Sequence, residues 1–232
     1  MPRDGQTSST RWRRHDLLHV APRAWASALT NNLSLGDLPL VETWADRGWP
    51  VIVRRRAEAE DPDLVPVGVP LPPADGKRRV ALLLPPGGVL ARSSPHLLCA
   101  AAKVADPGWR STIVSLLALG ARTGVEPAAF GSLLWQHLTG LAYLSPNSDL
   151  DVLWPVPTGF DVLSLVCGIA EVARAAPLRI DGEVIFPDGS AVNWYELWNA
   201  HRTTDRATVL AKSLEGVRLV EIASLTGLVE HA

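Results

Sequence analysis

Two aspartates one residue apart, Asp149 and Asp151, stand in the run Ser148-Asp149-Leu150-Asp151-Val152-Leu153. Successive side chains of a β-strand point to opposite faces, so the two carboxylates share one face while Leu150 and Val152 point into a core. Paired carboxylates repel unless a cation lies between them, and the natural occupant is a hard divalent ion with oxygen ligands. Upstream, Gly131-Ser132 makes a small-residue bend where backbone N–H groups can approach a phosphate closely. Together these features read as a metal-assisted phosphoryl- or nucleotidyl-transfer site. The competing reading is an Asp-x-Asp pair on a solvent-facing edge strand, a common pattern.

Transfer of this kind needs a third acid and cations for the leaving diphosphate. Asp181, in Leu178-Arg179-Ile180-Asp181-Gly182-Glu183, is the candidate, completing the metal shell or accepting the proton of an attacking hydroxyl. Glu183 shares its face at period two and is the rival, and a plain turn role before Gly182 is the alternative for Asp181. The phosphate-binding candidates are Gly131, Ser132, Arg54, Arg78 and Lys212. Arg13, Arg14, Arg55 and Arg79 belong to the same basic clusters, and each cluster alone reads equally as a solvated face. Ser132 also reads as a helix N-cap, a role compatible with phosphate binding. His15 and His137 receive no catalytic role. The sequence has no Gly-x-x-x-x-Gly-Lys loop and no serine-hydrolase elbow, which disfavours a P-loop ATPase and an α/β-hydrolase.

Periodicity and turn residues predict the elements that must position these groups. Residues 125–131 read as a strand and 132–143 as a helix, with Leu133, Leu134, Leu138 and Leu141 at helical spacing. The Asp strand covers 148–154. Strand, Gly-Ser, helix, loop, Asp-x-Asp strand is the order of the nucleotidyltransferase fold. A long apolar helix is predicted over 160–176, then strands over 178–186 and 191–196 joined at Pro187-Asp188-Gly189-Ser190. Residues 207–212 and 217–222 form a strand or helix pair around Gly216. Helices are also expected over 96–105 and 109–123. In the first half, helices over 22–29 and 41–48 and strands over 49–55 and 77–84 surround a proline-interrupted stretch, 64–71, which its prolines confine to an edge or an extended connection. Residues 1–10 read as unstructured. The fold class is α+β: a nucleotidyltransferase-like C-terminal domain, 91–232, with a mixed sheet flanked by helices, and a smaller α/β N-terminal domain, 11–90, for donor or carrier binding.

The bulk properties narrow the function classes. A chain of 232 residues with 47% hydrophobic content and nineteen prolines is globular, with many stiff connections. A net charge of −2 argues against indiscriminate nucleic-acid binding. No apolar run has the length of a membrane span, and the basic N-terminus lacks the apolar core of a secretory signal. The expected location is cytoplasmic. Cys99 and Cys167 are too few for a zinc site and read as buried thiols inside helices. The nine tryptophans read as core and interface anchors.

Several segments carry a family resemblance. Arg14-His15-Asp16-Leu17-Leu18, Gly48-Trp49-Pro50-Val51-Ile52-Val53-Arg54-Arg55, Val67-Gly68-Val69-Pro70-Leu71-Pro72-Pro73 and Lys77-Arg78-Arg79-Val80-Ala81-Leu82 resemble the N-terminal half of the malonate decarboxylase holo-acyl-carrier-protein synthases, or phosphoribosyl-dephospho-CoA transferases. Phe130-Gly131-Ser132-Leu133-Leu134-Trp135-Gln136-His137 and Ser148-Asp149-Leu150-Asp151 are similar to that family's most distinctive stretch. The resemblance spans nearly all of the chain beyond the first ten residues. It implies a magnesium-dependent enzyme whose paired aspartates correspond to Asp149 and Asp151. The implied substrates are triphosphoribosyl-dephospho-CoA and the apo acyl-carrier protein subunit of malonate decarboxylase. The 2′-(5″-phosphoribosyl)-3′-dephospho-CoA group passes to a carrier serine as diphosphate leaves. Asp181 extends this pattern from the wider fold. The alternatives are a nucleotidyltransferase with another acceptor and a non-catalytic carrier-binding module.

Overall fold

The computed structural model describes residues 12–30, 32, 38–203 and 207–226, and the segment 1–10 read as unstructured lies outside them. Two sheets divide the chain. The first is antiparallel, built from β1 (Leu17–Val20), β2 (Val51–Val53), β3 (Val65–Pro70), β4 (Arg79–Leu84) and β5 (Val89–Ser93), in the order β4-β3-β2-β1-β5. Helices α1 (Pro22–Thr30) and α2 (Pro39–Glu42) accompany it. Period-two alternation makes β4: Val80, Leu82 and Leu84 are buried while Arg79 and Ala81 are exposed. The core of this half includes Trp25 and Trp44, whose indole N–H groups donate to the carbonyls of Val41 (2.7 Å) and Pro50 (2.9 Å). Indoles bury large apolar area there without leaving a polar atom unpaired.

Three expectations for this half change. The proline-rich stretch is not an edge: β3 lies between β4 and β2. Leu71 N donates to Arg78 O on the β4 side, so by alternation residues 66 and 70 turn their nitrogens toward β2. On β3 the short strand β2 pairs only with Val67 and Gly68, so the missing proline donors are not needed. The helix expected over 41–48 is a single turn, α2, followed by turns up to Gly48. Residues 89–93, to which the sequence reading assigns no strand, form β5, which pairs along β1.

The second sheet has β6 (Ala128–Ala129), β7 (Leu150–Pro155), β8 (Ile180–Ile185), β9 (Ala191–Asn193), β10 (Thr208–Lys212) and β11 (Val217–Glu221), in the order β11-β10-β9-β8-β7-β6. Its helices are α3 (Leu98–Ala101), α4 (Arg110–Thr123), α5 (Gly131–Thr139), α6 (Val162–Ala175), α7 (Trp194–Thr203) and α8 (Ile222–Thr226). Only β7 and β8 pair in parallel, because α6 carries the chain back between them. Helix α6 starts at Asp161, whose carboxylate caps Ser164 N at 3.0 Å, and buries Val162, Leu165, Val166, Ile169 and Ala170. Cys167 falls on the opposite face and is exposed, as is Cys99, which corrects the expectation of buried thiols. Leu150, Val152 and Trp154 of β7 enter the core with α4 and α6, so the odd-numbered residues of β7 take the other face.

The strand expected over 191–196 stops at Asn193. Its side-chain oxygen accepts from Tyr195 N (2.9 Å) and Glu196 N (3.3 Å) and opens α7 instead. Asn-x-x-Glu is a helix-start signature that outweighs the β-propensity of Val192 and Trp194. Residues 207–212 and 217–222 resolve into the hairpin β10–β11, with a short helix from Ile222. Among the described residues no helix is long and apolar enough to cross a membrane.

Candidate active site

The parallel pairing of β7 with β8 sets Asp151 directly beside Asp181. Asp149 immediately precedes β7. All three carboxylates line one cleft of about 700 Å³ between the two sheets. Asp181 is held in place: one carboxylate oxygen accepts from Gly182 N (2.7 Å) and from the Asn193 amide (2.8 Å). Gly182 has φ +142, and a Cβ there would fall 1.8 Å from the Val152 carbonyl oxygen, so only glycine fits this step of β8. Arg179 reaches the outer oxygens of Asp149 (3.3 Å) and Asp181 (3.4 Å). Asp151 sits between them. Burial, then the neighbouring charges of Asp181 and Asp149, push its carboxyl up to about 6, and Arg179 and Arg79 offset only part of this.

The Gly-Ser bend owes its composition to Asp151. Gly131 has φ +56, and an added Cβ would lie 1.8 Å from Asp151 Oδ2. Both the backbone conformation and the close approach therefore require glycine. Phe130 N donates to Asp151 O at 3.0 Å, fixing the start of α5 against β7. Ser132 is not the N-cap expected of it: that position is Phe130, and Ser132 lies in the first turn, lining the cleft. First-turn N–H groups have no partner within the helix, so this end of α5 faces the carboxylates with donors.

Cations line the same cleft as the acids, and two of them are anchored by Glu183. Two residues beyond Asp181 on β8, its carboxylate receives Arg14 (3.0 Å) and His15 (2.9 Å) on one oxygen and Lys212 (3.0 Å) on the other. Burial alone would raise this carboxyl. The His15 hydrogen bond and the charges of Arg14 and Lys212 outweigh burial and hold it well below the usual carboxylate range. His15 is itself lowered, chiefly by burial. Its Nε2 meets Glu183 Oε2 at 2.9 Å, and the ring packs edge-on against Phe130 at 4.7 Å between ring centres. Arg14 and His15 enter from the first sheet's side and Lys212 ends β10, so Glu183 ties both halves to the strand that carries Asp181. Its oxygens are committed and it does not line the cleft, which leaves Asp181 as the acid beside Asp151.

The remaining expected residues divide. Gly131, Ser132, Arg54 and Lys212 all line the cleft. Arg54 is heavily engaged within its own half, with both oxygens of Glu60 and the carbonyls of Val67 (3.0 Å), Arg55 (2.9 Å) and Leu82 (3.3 Å). Arg78 is not among the lining residues, whereas its neighbours Lys77 and Arg79 are. One step along β4 reverses the face, and Arg79 is the residue close enough to act on Asp151. Arg179 and Asn193 were not anticipated. Arg179 could have been found by its period-two relation to Asp181, while Asn193 carried no functional signal. His137 pairs with His96 at 3.1 Å, away from the cleft lining.

As donors, three carboxylates suit a hard divalent cation, and the glycine at 131 leaves Asp151 the room to serve. With Arg179 between two of them, the three groups do not form a closed cage. Among the described residues, no three histidine, cysteine or acidic side chains stand close enough together to enclose an ion.

Comparison with known proteins gives this site its context. The family described as Phosphoribosyl-dephospho-CoA transferase MdcG C-terminal domain matches residues 96–223, and the corresponding N-terminal domain matches 13–95. The chain belongs to the phosphoribosyl-dephospho-CoA transferase family. It is 38% identical over 208 residues to the Bradyrhizobium diazoefficiens phosphoribosyl-dephospho-CoA transferase, covering 90% of this chain and 89% of that one. A Xanthomonas campestris pv. campestris protein of the same name is 37% identical over 213 residues, covering 91% and 95%. One from Pseudomonas aeruginosa is 32% identical over 185 residues, covering 75% and 79%. No solved structure matches significantly. Family membership makes this chain a transferase, and the two matched domains meet between residues 95 and 96, where β5 gives way to the segment leading into α3.

Proposed function

We propose that this transferase moves the 2′-(5″-phosphoribosyl)-3′-dephospho-CoA group from its triphosphate precursor to a serine of the malonate decarboxylase acyl-carrier protein, through a nucleotidyltransferase-like site. The observation that carries the reading is the convergence of Asp149, Asp151 and Asp181 on one face of the β7–β8 pair, in the same cleft as Arg14, Arg79 and Lys212. Acids beside cations in one cleft match a substrate with a reacting phosphorus and a departing diphosphate.

Asp149 and Asp151, with Asp181, are the residues that would hold Mg²⁺ or Mn²⁺. When bound, that ion would neutralise charge developing on the phosphates. The chain's own residues do the rest. The first turn of α5, with Ser132, presents N–H and O–H donors to phosphate oxygens. Arg14 and Lys212, pre-positioned by Glu183, receive the diphosphate. Arg79 faces the reacting centre from the first sheet, whose cleft-lining surface around Gly68, Pro70 and Ala81 gives the bulky dephospho-CoA a place to lie. In the transfer step the carrier serine oxygen forms a bond to the α-phosphorus. The α-phosphorus–oxygen bond to diphosphate breaks. The hydroxyl proton passes to a carboxylate of the acid face.

The direct test incubates the protein with Mg²⁺, the triphosphoribosyl donor and apo carrier, and reads the carrier's intact mass. The expected result is gain of the prosthetic group, lost in Asp149→Asn and Asp151→Asn proteins that keep wild-type circular dichroism. An unchanged carrier mass with competent donor and carrier, or full loading by either variant, would refute the assignment.

A further inference from the structure

We propose that Lys77, with the cleft wall made by Leu71, Pro73 and Tyr143, is a second phosphate site. It takes the 5′-diphosphate bridge of the dephospho-CoA part of the donor, apart from the triphosphate that reacts. The inference deepens the transferase reading above and rests on it.

The backbone singles Lys77 out. Among the described residues two non-glycine residues are left-handed, His15 (φ 73) and Lys77 (φ 53), and both line the cleft. This conformation crowds a Cβ, whereas glycine adopts it at ease. The His15 side chain has a use there, on Glu183 at 2.9 Å. Lys77 closes a turn held by Asp75 N to Pro72 O (2.9 Å), Gly76 N to Pro73 O (3.1 Å), Lys77 N to Pro72 O (3.1 Å) and Leu71 N to Arg78 O (2.7 Å). The turn brings Lys77 to the cleft lining while Arg78 stays out of it. A strained residue fixed by its surroundings at the edge of a cleft points to a task for its side chain.

Charge and place identify the ligand. Arg14 and Lys212 share Glu183, and Arg54 is matched by Glu60. Lys77 is exposed and has no ion-pair partner among the described residues. A flexible ammonium without a carboxylate is suited to a phosphate oxygen. Its position is not that of the departing diphosphate. Lys77 leads into β4 where Arg79 pairs with Pro70, the last residue of β3. The turn after Lys212 lies by the exit of β2, since Arg56 N donates to Leu214 O at 2.8 Å, and that exit is beside the start of β3, since Arg54 N donates to Pro66 O at 3.0 Å. The two cationic ends of the cleft therefore sit at opposite ends of β3. The donor likewise has two polyanions, the triphosphate and the bridge between adenosine and its pantetheine arm. Uncharged groups flank that bridge, and Leu71, Pro73 and Tyr143 accompany Lys77 along the lining. Tyr143 is fixed there by donating its hydroxyl to Pro70 O at 2.9 Å.

The experiment measures binding by isothermal titration calorimetry. Dephospho-CoA is the probe that has the bridge and no triphosphate, and inorganic diphosphate is the probe of the other end. Wild type, Lys77→Gly, Lys77→Gln and Arg78→Gln are compared. Lys77→Gly suits the left-handed backbone, so the turn survives loss of the charge. Both Lys77 variants should bind dephospho-CoA about two- to fivefold more weakly, the range of an exposed ion pair, and the loss should shrink in high salt. Their binding of diphosphate, and the binding of either probe by Arg78→Gln, should match wild type. In steady-state loading of the carrier, the donor KM of the Lys77 variants should rise more than kcat falls. Dephospho-CoA binding that is absent from wild type, or unaltered in both Lys77 variants, overturns the proposal, as does equal weakening of the two probes. A rise in the carrier KM in place of the donor KM also overturns it and makes Lys77 a carrier contact. Wild-type loading, read by the carrier's intact mass, judges the transferase reading separately. If loading proceeds while any of these results holds, only the role of Lys77 falls. If loading fails with competent donor and carrier, the transferase reading falls whatever the calorimetry shows.

Discussion

Replacing Glu183 with glutamine should loosen the joint between the two halves. The change is nearly isosteric, but the wild-type carboxylate accepts on both oxygens, from Arg14 and His15 on one and Lys212 on the other. A glutamine amide must turn its NH₂ group toward one of these sets of donors, and it removes the negative charge that the two cations share. The Glu183 side chain is only 12% exposed, so solvent cannot take over. Breaking a buried pair of this kind costs about 3–5 kcal/mol, and the partial exposure of Lys212 places the expectation near 3. For a chain of this size that is a fall in Tm of about 6–12 °C. The pH dependence supplies the sign. Glu183 is held below its ordinary value of 4.5 in the folded protein, so its contribution is complete above that value and is lost as pH falls through the folded pKa. Urea denaturation should therefore show a gap between wild type and variant that is constant from pH 7 to pH 5 and narrows below about 4.5. A variant within 1 °C of wild type at pH 7, or a gap that does not narrow between about pH 5 and pH 3, would refute the assignment of Glu183 as the anchor.

Other outcomes follow from the same geometry. Gly131→Ala must leave the left-handed conformation or drive its Cβ into Asp151, so transfer should be lost and stability should fall by about 1–3 kcal/mol, read by loading assay and thermal melt. Asp151→Asn should abolish loading yet stabilise the metal-free protein at pH 7.5. The Asp151 carboxyl is raised from 3.8 to about 6, so folding loses stability as pH rises through that window, and denaturation in EDTA should show about 1–2 kcal/mol in the variant's favour at pH 7.5 and less at pH 4. Arg79→Ala should raise the donor KM by about tenfold, a loss of ~1.4 kcal/mol, while Arg78→Ala should leave it near wild type because that side chain is not in the cleft lining. Equal effects of the two substitutions would contradict the register of β4.

What the sequence disclosed depended on whether the determining contacts were local. Asp149 and Asp151 share a face by parity alone, and the leucines of α5 and the apolar stripe of α6 announce their helices within a few turns. Asp181 was reachable only as an extrapolation, because its place beside Asp151 is set by parallel pairing across an intervening helix. The reason for Gly131 was invisible: a carboxylate twenty residues away occupies the space of its missing Cβ. Arg78 and Arg79 are adjacent in a basic run, and only the pairing of β4 with β3 decides which one faces the acids. Prolines suggested an edge strand because their side of the ladder could not be known before β2 proved so short.

The alternation that made the acid pair legible also organises the rest of the site. Asp181 and Glu183 are two residues apart on β8, about 6.6–6.8 Å along the strand, and face the same way. Their surroundings differ in sign. Asp181 stands with two other carboxylates, one of which is raised by burial and then by the crowding, whereas Glu183, despite its burial, is depressed by its hydrogen bond to His15 and by Arg14 and Lys212. One strand therefore carries a cation-seeking end and a cation-rich end within the length of a polyphosphate. On this reading the strand measures the donor: the reacting phosphorus belongs beside Asp181 and the departing phosphates beside the cations that Glu183 holds. Glu183→Asp keeps the charge but withdraws it by one methylene, which would draw Arg14 and Lys212 back with it. The expected result is a folded protein, close to wild type in Tm, with weaker product inhibition by diphosphate and a higher donor KM. If instead diphosphate inhibits that variant as strongly as wild type, the cations held by Glu183 do not receive the leaving group, and the two-ended division of the cleft is wrong.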